Sequence, residues 1–198
     1  MNLPNKLSFM RIFLVPLIYI CYLAIPKPYG PLIAVLLFIT AAITDQLDGH
    51  IARKYNQVTD LGKLLDPMAD KLLYCGCMFL IVLDGTILAP WGIIGLFIVF
   101  ARDTLVNGIR QIGATKGVVF AAALSGKLKA IFAYIFIPMF MYLAADLGNG
   151  VGAWATIDYI MTILAYVVYA VAIAVTIWSA IDYTVKNKEV LRTNTNES

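Results

Sequence analysis

Six apolar blocks leave this chain few places to fold other than a lipid bilayer. They cover about residues 7–25, 31–43, 72–83, 90–113, 125–145 and 156–183. Hydrophobic residues make up 61% of the chain and charged residues only 14%, against ~25% charged in soluble domains. That charge cannot coat a soluble domain, and so much apolar surface excludes disorder. A membrane helix needs ~20 residues to cross the hydrocarbon. The second and third blocks are too short alone. Each reaches full length only if its helix continues into the charged stretch between them, to about residue 53 on one side and from about residue 60 on the other. The first block reads as a retained span and not a cleaved signal. Cys21, Cys75 and Cys77 lie in apolar stretches and read as small core residues.

Six spans place both termini on one side. Fourteen of the fifteen Lys and Arg residues then share that side, and only Lys27 lies opposite. The positive-inside rule makes the crowded side cytoplasmic. Five or seven spans would break this segregation. The expected fold is therefore an all-α integral membrane protein with six transmembrane helices and both termini cytoplasmic. Residues 1–185 are expected to form a single six-helix transmembrane domain, and 186–198 a polar, flexible tail.

The scarce charge is concentrated. Residues 45–70 hold eight of the chain's 27 charged side chains, at the cytoplasmic ends of the second and third spans. Asp45 and Asp48 are three apart, and Asp66 and Asp70 four apart, so each pair shares a helical face. A short link near residues 55–59 makes the two helices antiparallel neighbours, and the four carboxylates converge. Unneutralised, they would repel one another or protonate. Ion pairing with Arg53, Lys54, Lys63 and Lys71 is the ordinary alternative. Two bound divalent cations answer the pattern better, because oxygen-only ligands suit Mg²⁺ or Mn²⁺ and paired metals clamp phosphates in displacement chemistry. Intramembrane acids point to function by default. Gly49, Ala52 and Gly62 leave room either for close helix packing or for a bulky ligand. Pro67 removes a helical hydrogen bond beside Asp66.

The string Asp45-x2-Asp48-Gly49-x2-Ala52-Arg53-x8-Gly62-x3-Asp66-x3-Asp70 resembles the signature of the CDP-alcohol phosphatidyltransferase family, with every spacing intact. The resemblance implies a six-helix membrane enzyme, generally a homodimer, that moves a phosphatidyl group from CDP-diacylglycerol to an alcohol and releases CMP. It implies two Mg²⁺ or Mn²⁺ ions on Asp45, Asp48, Asp66 and Asp70, with Asp70 also the general base. CDP-diacylglycerol would meet Gly49, Ala52, Arg53, Thr59 and Gly62. It would also meet Asn5 and Ser8 from the family-like run Pro4-Asn5-Lys6-Leu7-Ser8.

A second cationic cluster bears on the acceptor. Arg102 and Arg110 lie eight apart near one helical face, with Lys116, Lys127 and Lys129 beyond. Arg102-Asp103, Gly108-Ile109-Arg110 and Gly126-Lys127-Leu128-Lys129 resemble the glycerol-phosphate branch of the family. That resemblance implies sn-glycerol 3-phosphate as acceptor, its phosphate held by Arg102, Arg110, Lys116 and Lys127. Inositol phosphate, serine or phosphatidylglycerol are alternative acceptors. A divalent-cation transporter is a remote alternative of a different class, because transporters place polar groups at mid-membrane. The last two spans are expected to supply packing, lipid contact and a dimer surface. The enzyme is expected in the cell membrane with its site at the cytoplasmic interface; nucleic acid is not an expected partner.

Overall fold

A computed structural model describes residues 3–54, 60–116, 124–147 and 152–188. They form six helices: α1 (Leu3–Ala24), α2 (Tyr29–Lys54), α3 (Asp60–Leu83), α4 (Ala89–Thr115), α5 (Leu124–Leu143) and α6 (Gly152–Lys186). No strand occurs among the described residues. α2 and α3 do continue through the charged stretch. At 1.5 Å per residue, the 26 residues of α2 give about 39 Å, enough to cross a bilayer. α6 is longer than its apolar block at both ends. Lys186, the first residue of the expected tail, still belongs to the last turn of α6, and residues 189–198 fall outside the described part.

Stretches of α1, α4 and α6 (Lys6–Ala24, Ala89–Gly113 and Trp154–Lys186) are long and apolar enough to cross a membrane, while Tyr29–Thr44 and Leu128–Leu143 are shorter apolar helices. The outward faces agree. Phe13 is 73% exposed, Phe97 70% and Leu36 66%, with many more like them on every helix. Water would not tolerate such continuous apolar surface on a monomer; lipid does. Polar side chains within the spans satisfy themselves, as hydrocarbon requires. Thr40 donates to the Leu36 carbonyl at 2.8 Å, Thr104 to Phe100 at 2.9 Å and Thr176 to Ala172 at 2.7 Å.

The helices form a ring in the order α1, α2, α5, α6, α4, α3, closed by α3 on α1, with α3 and α5 also touching across the middle. The expectation that α2 and α3 are close neighbours is only weakly met. Both pack chiefly on other helices, α1 above all, and touch each other least. The reason is burial: α1 offers Val15, Ile18 and Tyr22 to a core shared with Ala34 and Phe38 of α2 and Leu73, Cys77 and Ile81 of α3. Across the ring, Phe136 and Phe140 of α5 meet Tyr169 and Tyr166 of α6 edge-on, at centroid distances of 5.3 and 5.1 Å. Tyr169 also seats its hydroxyl over Gly95 of α4, where a Cβ would lie 1.7 Å away. There it donates to the Trp91 carbonyl at 2.8 Å. Only glycine allows that approach.

Candidate functional site

Helices that alternate in direction bring one end of each to the same end of the bundle. There the start of α1, α3 and α5 meets the end of α4 and α6. A cavity of about 340 Å³ opens between them, lined by Asp70, Lys71 and Tyr74 of α3, Arg102, Asp103 and Arg110 of α4, Gly126, Lys129 and Tyr134 of α5, and Tyr183 of α6. The final aspartate of the first motif and the two arginines of the second cluster thus face one space, although they are more than thirty residues apart in sequence.

Asp66 and Asp70 lie a turn apart on α3. The buried Ser8 hydroxyl of α1 donates to Asp66 Oδ1. The Tyr134 hydroxyl of α5 donates to Asp70 Oδ1 at 2.5 Å. Each acid is therefore held by one oxygen, and its Oδ2 accepts no side-chain hydrogen bond among the described residues. Arg11 of α1, wholly buried, is near enough for its charge to act on Asp70. Gly62 is buried at the start of α3. Asp45, Asp48, Gly49, Ala52 and Arg53 lie on the last turns of α2, Asn5 on the first turn of α1 and Lys127 at the start of α5. The placement of these side chains, and Thr59 entirely, lies outside the described part.

Among the described residues no group of three or more His, Cys, Asp and Glu side chains comes together. Asp66 and Asp70 form one pair, and the other expected pair belongs to the side chains outside that part. The donor chemistry itself fits a hard divalent cation, because Asp66 and Asp70 offer carboxylate oxygens.

The cationic half is built in more detail. Lys129 Nζ lies 2.6 and 2.7 Å from the two Asp103 oxygens and donates to the Tyr74 hydroxyl at 3.1 Å. Its three donors are consumed, and it sits 4.5 Å over the Tyr74 ring. Asp103 also accepts from Arg102 Nη1 at 3.1 Å. These side chains are 8–10% exposed, so the carboxylate is enclosed between two cations. Arg102 Nη2 donates to Ser179 of α6 at 2.6 Å. Its buried Nε has no hydrogen-bond partner among the described residues. Arg110 is exposed to the cavity and donates through Nε to the Tyr183 hydroxyl at 3.3 Å. Lys116 is exposed at the last turn of α4 and does not line the cavity.

The expectation that the last two spans supply packing, lipid contact and a dimer surface leaves out a contribution to the site. Tyr134 of α5 and Ser179 and Tyr183 of α6 reach the site's charged groups directly. In sequence a tyrosine or serine within an apolar run reads as core or interface, and only the packing of α6 on α4 reveals the role. Asp103 and Lys129 stood in recognised motifs, but their pairing across two helices had no local signal.

The fold and the site define a class: a helical membrane protein with an acid and a cluster of cations facing one cavity at one end of the bundle. The chain belongs to the CDP-alcohol phosphatidyltransferase family, whose model matches residues 1–178. Similar curated proteins carry the name CDP-diacylglycerol–glycerol-3-phosphate 3-phosphatidyltransferase. One from Rickettsia bellii is 38% identical over 75% of this chain and 76% of its own length. One from Bacillus subtilis is 40% identical over 65% and 70%. One from Haemophilus influenzae is 33% identical over 92% and 91%.

Proposed function

We propose that this enzyme transfers the phosphatidyl group of CDP-diacylglycerol to sn-glycerol 3-phosphate, giving phosphatidylglycerol phosphate and CMP. The observation that carries the reading is the shared cavity, with Asp70 on one wall and Arg102 and Arg110 on another. The names of the similar proteins support the same acceptor. The cavity lining carries four cations (Lys71, Arg102, Arg110 and Lys129) against two carboxylates (Asp70 and Asp103). That surplus matches a phosphate monoester of charge about −2 and is wasted on a neutral acceptor such as serine.

Asp70 is the general base. Tyr134 holds Oδ1, which leaves Oδ2 to take the proton of the acceptor hydroxyl as it attacks the phosphorus. The bond between that phosphorus and the CMP oxygen breaks as the new ester forms. Arg110 anchors the acceptor phosphate with a planar, permanently charged fork. Asp45, Asp48, Asp66 and Asp70 would hold two Mg²⁺ or Mn²⁺ ions, which when bound neutralise the pyrophosphate and the departing CMP. Asn5, Ser8, Gly49, Ala52, Arg53, Thr59 and Gly62 form the donor site, and Lys116 and Lys127 add positive charge at the acceptor entrance. Most of the acceleration comes from positioning and charge.

The site faces the cytoplasm in the cell membrane. Six spans put both termini there with nearly all the cations, and the donor's tails and nucleotide demand an interfacial position. Residues 1–185 act as one catalytic domain, and the enzyme works as a homodimer. A panel of radiolabelled acceptors with purified protein, CDP-diacylglycerol and Mg²⁺ or Mn²⁺ tests the reading. Glycerol 3-phosphate should be the preferred acceptor; preference for serine, inositol phosphate or phosphatidylglycerol would refute it.

A further inference from the structure

Arg102 and Arg110 are close enough for each charge to act on the other. Two like charges at the rim of a half-buried cavity drift apart unless something holds them. The obvious restraint, a carboxylate on each, would also cancel the charge that an anion needs. Asp103 serves Arg102 and Lys129 together, which leaves the pair of arginines with surplus charge.

Among the described residues, the other side-chain restraints on the two arginines come from α6 and are neutral. Ser179 is fully buried and Tyr183 is 3% exposed. They are four apart, hence on one face of the helix. Ser179 Oγ accepts from Arg102 Nη2 at 2.6 Å. Tyr183 Oη accepts from Arg110 Nε at 3.3 Å, and its ring lies 5.7 Å from the guanidinium carbon. Val106 and Ile109 of α4 pack with Tyr183 in a small buried cluster that fixes the ring. The acid of this stretch, Asp182, is turned aside into an ion pair with Lys186 at 2.8 Å. A hydroxyl acceptor orients a guanidinium without quenching it, and leaves the outer fork of Arg110 available for oxyanions.

We propose that Ser179 and Tyr183 are positioning residues for the acceptor phosphate: they hold Arg102 and Arg110 in a preformed fork without adding a further carboxylate to it, so acceptor affinity is set from α6. This rests on the proposed glycerol 3-phosphate reading. Preorganisation acts through the acceptor and leaves the donor site on α1–α3 alone.

The test is steady-state kinetics on the full-length enzyme in lipid nanodiscs, varying glycerol 3-phosphate and CDP-diacylglycerol in turn, for Ser179→Ala, Ser179→Thr and Tyr183→Phe. A lost hydrogen bond to a charged group corresponds to about a tenfold change. The KM for glycerol 3-phosphate should rise by about that factor in Ser179→Ala and Tyr183→Phe, with the KM for CDP-diacylglycerol within about twofold. Ser179→Thr, which keeps the hydroxyl, should restore the acceptor KM. Unchanged acceptor KM, or equal rises for both substrates, overturns the proposal. A wild-type enzyme that does not turn over glycerol 3-phosphate overturns the function reading instead. If Tyr183→Phe fails to fold, the contrast between Ser179→Ala and Ser179→Thr decides alone.

Discussion

The triad of Asp103, Lys129 and Arg102 makes a quantitative claim about stability. Asp103 and Lys129 are only 9% and 8% exposed and meet at 2.6 Å. Replacing Asp103 by Leu leaves two enclosed cations facing each other, with Tyr74 and Ser179 as their hydrogen-bond partners among the described residues. Removing one member of a buried pair costs about 3–5 kcal/mol, and we take about 4 kcal/mol. Lys129→Met leaves Asp103 with Arg102 at 3.1 Å, so its cost falls at the lower end, about 3 kcal/mol. The double variant removes both charges and leaves Arg102 to Ser179. It should cost about 4 kcal/mol, no more than the worse single change, for a coupling near 3 kcal/mol. At about 2–4 °C per kcal/mol for a chain of this size, each single variant should melt about 6–16 °C early. Tryptophan fluorescence during heating in detergent reads this directly. Losses that add to within about 0.5 kcal/mol would mean that the two charges do not depend on each other, and the reasoning would be wrong.

Three further outcomes check other parts of the structure. Asp70→Asn should abolish CMP release while CDP-diacylglycerol still binds; near-normal turnover would sink the base assignment. Chelation with EDTA should stop turnover and added Mg²⁺ or Mn²⁺ restore it, whereas activity that survives chelation contradicts the four-aspartate metal site. Gly95→Ala drives a methyl into the Tyr169 hydroxyl and should destabilise the enzyme by about 1–3 kcal/mol. A thermal midpoint equal to wild type would show that Tyr169 gives way without loss.

Much of this is legible in the sequence, and for physical reasons. Apolar blocks of bilayer length report helices directly, and the two short ones demanded extension through the charges, which α2 and α3 show. Spacings of four and eight put Asp66 with Asp70 and Arg102 with Arg110 because helical periodicity alone sets those faces. What the sequence hid depends on which helix lies beside which. Ser179 and Tyr183 look like any polar residues in a hydrophobic run until α6 packs on α4. Tyr134 gains its role only where α5 crosses α3. The pairing of α2 with α3 was overestimated because a short link argues for adjacency, while α1 competes for the same apolar faces and wins.

The diagonal contact of α5 on α3 divides the molecule in a useful way. The aspartate motif belongs to α2 and α3, flanked by α1. The arginines and their hydroxyl partners belong to α4 and α6. α5 stitches the two together: it meets α3 at two rungs, Lys129 on Tyr74 and Tyr134 on Asp70, and α4 through Lys129 on Asp103. A change of acceptor alcohol can then be sought in α4 and α6 while the aspartate motif on α2 and α3 is left unchanged. Chimaeras cut in the loop after α3, with the two rungs kept, are the natural way to move acceptor preference from one such enzyme to another.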